Sequence, residues 1–242
     1  MAGTHFRGPI LHSIDSNSKY AYRVGMGMMP TAEFAVIHDD FTGAVTTNVP
    51  LGWSAAIIDT GCTITNATLA NGQLLLDSDA DNEGVAAYMT KQFALTSGKK
   101  FFMECRVKQE DVSAMTFQFG LTSLTATTNP EDIWTTVATD FISFGNLDAA
   151  TTSLVYDISN GGPVTNTNTD VSLSDDTWHT LGIGFNGTSA QAYVDGVKVI
   201  DAGTVASLPV GVVLAPFFGM LAGHATTADV THLDYFRIVS ER

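Results

Sequence analysis

Residues 176–200 read DTWHTLGIGFNGTSAQAYVDGVKVI, and the pattern in them decides the fold. Leu181, Ile183 and Phe185 alternate with Thr180, Gly182 and Gly184, the period-two signature of a strand with one buried face. Asn186–Gly187–Thr188–Ser189 breaks that run. A second run follows, with Ala190, Ala192 and Val194 on one side. Asp195–Gly196 then supplies the positive φ angles of a two-residue hairpin turn, and Val197 and Val199 open the return. The stretch predicts three consecutive antiparallel strands.

The same grammar extends through the body of the chain. FFMECRVK (101–108) places Phe101, Met103, Cys105 and Val107 on one face, with Phe102, Glu104, Arg106 and Lys108 on the other. AMTFQFGL (114–121) repeats it with Met115, Phe117 and Phe119 inward. GWSAAIID, QLLLD, GVAAYM, DFISF, SLVYDI, VVLAPFFGML and VTHLDYFRIV are further strand candidates. Helical periodicity is confined to NPEDIWTTVATD (129–140), enough for one or two turns. Many short strands separated by turn residues predict an all-β fold, an antiparallel two-sheet jelly-roll sandwich. The threonine- and asparagine-rich stretch 160–170 reads as an exposed loop.

Composition limits the partners. The chain has 242 residues, 45% hydrophobic and only 15% charged, so it can build a substantial core. A net charge of −14 argues against a nucleic-acid partner, because no large cationic face is available. No run approaches the length of a membrane span, and the opening residues lack the apolar core of a secretory signal. Cys62 and Cys105 are far apart and in no metal-binding spacing; Cys105, on the apolar side of its run, reads as a buried free thiol.

Residues 1–30 differ from the rest. They hold Arg7, Lys19 and Arg23 against Asp15 alone, and the glycine- and proline-rich run GMGMMP. They read as an extended N-terminal arm ahead of a sandwich domain at 31–242. Phe6, Pro9, Ile10 and Leu11 would anchor that arm, on its own sandwich or on a partner.

Several of these motifs carry a resemblance. Trp178–His179, Tyr193–Val194–Asp195–Gly196, the closing HLDYFRIV (232–239) and DDFTG (39–43) together resemble the concanavalin A-like and laminin-G-like sandwiches. DDFTG corresponds there to the opening of the first strand. Members of this group that cleave glycans are similar to one another in a Glu-x-Asp-x-x-Glu strand, whose two glutamates act as nucleophile and acid/base. The six glutamates here, Glu33, Glu83, Glu104, Glu110, Glu131 and Glu241, never fall in that spacing. Serine-nucleophile, metal-helix and phosphate-loop motifs are absent too. The expectation is therefore of a protein that is not an enzyme, with no catalytic residue assigned.

Two ligand readings stay open at this point. Asp77, Asp79 and Asp81 have the spacing that opens a calcium loop, although Asn82 and Tyr88 stand where an EF-hand needs Gly and Glu. Laminin-G-like domains often hold calcium at a rim, and no other cofactor is expected. For glycan, Trp134, Tyr156 and Tyr193, with Trp53, are the aromatic candidates for stacking on sugar rings. Trp178 reads as a core residue at the start of its strand, and His179 as a structural residue at its edge.

THFRGPILHS (4–13) is similar to the lead-ins of tailed-bacteriophage head decoration proteins. That resemblance implies a virion protein, made in the host cytoplasm and placed on the outer surface of the capsid. Phe6, Arg7, Pro9, Ile10 and Leu11 would bind the major capsid protein, and the chain would associate with itself, as a trimer by preference. A lectin-like, glycan-binding module on a phage tail or a bacterial surface is the alternative.

Overall fold

The structure is a computed structural model that describes residues 34–42, 45–46, 49–50, 52–58, 60–67, 72–78, 83–90, 92–124, 139–146, 153–204, 206–222 and 229–241. Two antiparallel sheets account for most of them. One runs in the order β15 (Val197–Thr204), β14 (Ser189–Val194), β13 (His179–Phe185), β8 (Phe101–Gln109), β17 (Asp229–Glu241), β6 (Leu74–Ser78) and β5 (Thr63–Asn66). Its eighth strand, β1 (Phe34–Asp39), shares an edge of the long β17 with β6. β6 pairs with Asp229–Leu233 and β1 with Phe236–Glu241. The other sheet has seven strands in the order β12 (Thr165–Ser172), β11 (Ser153–Asn160), β10 (Asp140–Asn146), β9 (Met115–Thr122), β16 (Ala215–Ala222), β7 (Gly84–Tyr88) and β4 (Ser54–Ile58). A two-stranded ribbon, β2 (Val45–Thr46) and β3 (Val49–Pro50), stands apart. This is the predicted jelly-roll sandwich.

The stretch 176–200 folds as its pattern requires. β13, β14 and β15 pair in sequence, with Leu181 opposite Val194 and Val194 opposite Val197. Asp195 and Gly196 turn the chain at φ 48° and 81°, the left-handed pair that a two-residue hairpin demands. The glycines of this run have a packing reason. A Cβ at Gly182 would lie 3.0 Å from Phe102 Cζ, and one at Gly184 would lie 3.0 Å from Tyr193 Cε2. The bare backbone of β13 is the floor on which those two rings lie.

Period-two alternation sends the apolar faces of both sheets inward. Phe119 and Phe218 from the seven-stranded sheet meet Phe236 of β17, and Trp53 packs edge-on against Phe218 at 4.5 Å and Phe236 at 5.1 Å. Trp53 Nε1 donates to Asp39 Oδ2 at 2.8 Å, so the ring bridges the sheets while its one polar atom is satisfied. Each such ring, fully buried, contributes roughly 1.5–3 kcal/mol relative to exposure. Cys105 is a buried thiol on the inner face of β8, and Cys62 is buried elsewhere in the core.

The structure departs from the sequence reading in three places. Of the stretch 160–170 read as an exposed loop, residues 161–164 are a connection, and 165–170 belong to β12, an edge strand paired with β11. It is exposed as expected, but it is a strand, because an edge needs only one partner and tolerates polar side chains on both faces. Asp39 and Asp40 close the first strand rather than open it, with Phe41 turning away at φ 53°. Trp178 is half-buried rather than a core residue. Leu181 faces inward, so parity turns Trp178 outward with Thr180, and the Arg106 guanidinium lies 4.8 Å above its ring. The helix candidate at 129–140 falls almost wholly outside the described residues, as do all of residues 1–33.

Candidate functional site

The register of the seven-stranded sheet lines up one residue from every strand on the face turned away from the core. Asn166 pairs with Asp157, Asp157 with Ser143, and Ser143 with Gly120. Gly120 then pairs with Phe217, Phe217 with Tyr88, and Tyr88 with Ser54. Six inter-strand spacings of about 4.8 Å make this row about 29 Å long. The adjacent row on the same face runs Val155, Gly145, Gln118, Gly219, Ala86. One end of the row is thus polar, its middle is floored by glycine, and its other end is aromatic.

The polar end is built from three strands and is buried. Asp157 is 1% exposed, and Gln118 and Ser143 are 0%. Gln118 Nε2 reaches Asp157 Oδ2 at 3.5 Å, the outer limit of a hydrogen bond, and Asn166 donates to the same carboxyl. Asp157 Oδ1, Gln118 Oε1 and Ser143 Oγ have no partner among the described residues. Buried polar atoms are nearly always paired, and each one left unpaired costs about 1–3 kcal/mol. Three in one patch mark a place where the fold gives up stability. Burial pushes the Asp157 carboxyl up to about 7, against the opposing hydrogen bonds of Gln118 and Asn166. A carboxyl that titrates near neutrality in a polar cluster is equipped to give or take a proton at physiological pH.

The aromatic end carries Phe217 and Tyr88. Phe217 is fully buried beside Ala86, with Tyr88 and Leu124 packed against it. Asn146 fixes the register that holds the row together. Its Oδ1 accepts the Phe117 N–H at 2.8 Å, and its amide nitrogen donates to the Met115 carbonyl, clasping the start of β9 to the end of β10.

The residues singled out from the sequence lie elsewhere. Tyr156, next to Asp157, points the opposite way: it is 0% exposed in the core, its ring centroid 6.1 Å from that of Phe144. Tyr193 is 4% exposed against Phe102, and its hydroxyl donates to Gln191 Oε1 at 2.7 Å. Trp53 is a core residue. None of the three offers a free ring face, which corrects their reading as sugar platforms. Trp134 and the arm residues Phe6, Arg7, Pro9, Ile10 and Leu11 lie outside the described residues. Asp77 sits half-buried on β6, while Asp79 and Asp81, its partners in the calcium reading, are also outside them. Among the described residues no cluster of three or more metal-ligating side chains occurs.

A second polar patch lies on the outer face of the eight-stranded sheet. Arg106 pairs with Asp234 at 2.7 Å beneath Trp178, and His232 meets the same indole edge-on. Glu104, buried in the middle of that face, is held by Arg237 and by the Tyr235 hydroxyl at 3.0 Å. His179 Nδ1 lies 2.8 Å from Asp195 Oδ2, and the other oxygen of Asp195 accepts the Thr180 N–H, so this pair braces the hairpin turn. Its charges are matched in pairs, which is the pattern of a structural network.

No protein-family profile matches the sequence, and no curated protein sequence matches it either. Solved structures do resemble it. An endo-1,3-β-glucanase from Streptomyces sioyaensis superposes with a TM-score of 0.60 at 12% identity, over 88% of this chain and 99% of the glucanase. An endo-β-1,4-glucuronan lyase from the fungus Trichoderma reesei gives 0.57 at 12% identity, over 84% and 94%. The β-glucanase of Bacillus licheniformis gives 0.56 at 17%, over 84% and 97%. These likenesses span the sandwich and correct two expectations. These three similar structures are polysaccharide-processing enzymes and not capsid components, so neither the capsid-decoration reading nor the exclusion of enzymatic activity stands. At these identities the likeness establishes the fold: the chain is a concanavalin A-like jelly-roll sandwich.

Proposed function

We propose that this chain binds and processes a polysaccharide laid across the strands of its seven-stranded sheet. The observation that carries the reading is the row from Asn166 to Ser54, with a near-neutral carboxyl at one end and aromatic rings at the other. Sugar sites combine those elements: polar groups that fix hydroxyls, and apolar rings that take the flat face of a pyranose. A chain crossing the strands would meet Asp157, Ser143 and Gln118 first and the half-buried Tyr88, packed on Phe217, about 19 Å further on, at four strand spacings from Asp157. The similar solved structures, glucanases and a glucuronan lyase, support a carbohydrate ligand.

Asp157 is the residue equipped for proton transfer. Retaining hydrolysis by paired carboxylates needs a second carboxyl about 5–5.5 Å away. Among the described residues of this face there is none; Glu83, Glu104, Glu110 and Glu241 lie off it. The processing reading therefore rests on one carboxyl with amide neighbours. The test is to incubate the intact chain with soluble β-glucans and with polyuronates, following retention on the polymer and new chain ends, with Asp157→Asn in parallel. Retention together with chain cleavage that Asp157→Asn abolishes supports the proposal. Failure to retain or cleave any of these polymers would overturn it.

A further inference from the structure

We infer that the polar end of the row recognises the carboxylate of an acidic sugar, a uronate, and does so only while Asp157 holds its proton. The inference rests on the proposed glycan site and adds its substrate class and its control. Its starting point is the set of buried, unpartnered atoms on three adjacent strands: Asp157 Oδ1 on β11, Ser143 Oγ on β10 and Gln118 Oε1 on β9.

An amide presents opposite groups from its two sides. Beside an ionised Asp157, Gln118 turns its NH2 to the carboxylate and leaves its carbonyl oxygen open, as the contact of Gln118 Nε2 with Asp157 Oδ2 has it. Beside a protonated Asp157, the same amide accepts the carboxyl O–H and leaves its NH2 open. The proton thus converts the patch from one that offers lone pairs to one that offers donors: the Gln118 N–H, the Ser143 O–H and the amide of Asn166. A uronate carboxylate takes such donors in short, charge-assisted bonds. Against an ionised Asp157 it would place two anions side by side in a buried site, which neither tolerates. Neutral sugar hydroxyls both donate and accept, so they suit either state.

Among the described residues, no other ionisable group faces Asp157. The described residues facing Asp157 from β9, β10 and β12 are Gln118, Gly120, Ser143, Gly145, Asn166 and Asn168, none of them ionisable. The remaining carboxylates of these strands, Asp140 and Asp170, sit at the start of β10 and on an exposed part of β12. Burial holds Asp157 near 7, so the conversion falls within the physiological range. Gln118, Ser143 and Asp157 are buried in the structure, and Asn166, exposed on the edge strand β12, is the member of the patch that an incoming sugar meets first.

The experiment is calorimetric titration of the intact chain with an oligoglucuronate and with a neutral gluco-oligosaccharide of equal length, from about pH 5.5 to about pH 8.5. The expected result is that oligoglucuronate affinity falls about tenfold per pH unit above about 7, while binding of the neutral sugar stays level. Asp157→Asn, which keeps a donor and cannot ionise, should bind oligoglucuronate with a flat profile. The wild-type series stands alone should that variant fold poorly. Binding of the neutral sugar only, or oligoglucuronate binding that ignores pH, would overturn the inference and leave the proposed function standing. Binding of neither sugar would sink both.

Discussion

Replacing Asp157 by Asn isolates the energetic cost of keeping a carboxyl in the sheet face. In the folded chain, burial raises this group from 3.8 to about 7. The native state therefore holds its proton through a window in which the unfolded chain has lost it. Stability from this group is fully present below pH 3.8 and drains away as pH rises through about 7. A shift of about 3 pKa units at about 1.4 kcal/mol per unit amounts to on the order of 4 kcal/mol. Asn has the same shape, donates from a similar position and does not titrate. The assay is urea unfolding of both proteins at intervals from about pH 4 to about pH 8.5, with stability taken at zero denaturant. The wild type should lose on the order of 4 kcal/mol relative to the variant across that range, most of it between about pH 4 and about pH 7. A stability difference that stays constant with pH would refute the reasoning, because it would mean that Asp157 ionises as readily folded as unfolded.

Three other outcomes follow from the geometry. Gly184→Leu should destabilise the chain by about 1–3 kcal/mol, read as a lower melting temperature, because the new side chain displaces the Tyr193 ring from the floor of β13. Asp39→Ala should cost about 1–3 kcal/mol in the same assay, since Trp53 Nε1 and the Phe41 N–H both lose their acceptor while the indole stays buried. Burial, reinforced by the neighbouring charge of Glu104, holds the Cys105 thiol well above its ordinary range, so a thiol reagent should label Cys105 only as fast as the sandwich unfolds.

Much of the sandwich was legible because alternation is a local property. FFMECRVK and AMTFQFGL announce their inner faces residue by residue, and Asp195–Gly196 announces its turn. The outer faces were less legible. Phe102 and Glu104 alternate to the outside in the sequence yet are buried, because large side chains of neighbouring strands, Tyr193 for Phe102 and Tyr235 with Arg237 for Glu104, close over them. Trp178 could have been placed correctly from parity alone, three residues before an inward Leu181. Its size argued for the core, and parity won. β12 escaped notice because Thr165–Ser172 lacks the apolar face by which strands are usually known.

The candidate site was almost invisible for a related reason. SLVYDIS does place Val155, Asp157 and Ser159 on one face, but nothing local distinguishes Asp157 from any strand carboxyl at a water-facing position. Its environment comes from Ser143 and Gln118, 14 and 39 residues earlier in the chain, brought alongside by the pairing of β9, β10 and β11. Paired glutamates are the chemistry of other glycan-cleaving sandwiches, and the described residues around Gln118 and Ser143 offer the single carboxyl of Asp157 among amides instead. The tyrosine that attracted notice, Tyr156, is one residue away and faces the opposite direction.

The most direct test of the account is to map where sugar binds. Backbone NMR shifts of the intact chain, followed during titration with a gluco-oligosaccharide and an oligoglucuronate, would locate the ligand strand by strand. The account predicts that the largest shifts fall in one line across the seven-stranded sheet, at Asn166, Asp157, Ser143, Gln118, Phe217 and Tyr88. Shifts gathered instead around Trp178, Arg106 and His232 on the opposite sheet, or none with either sugar, would contradict it.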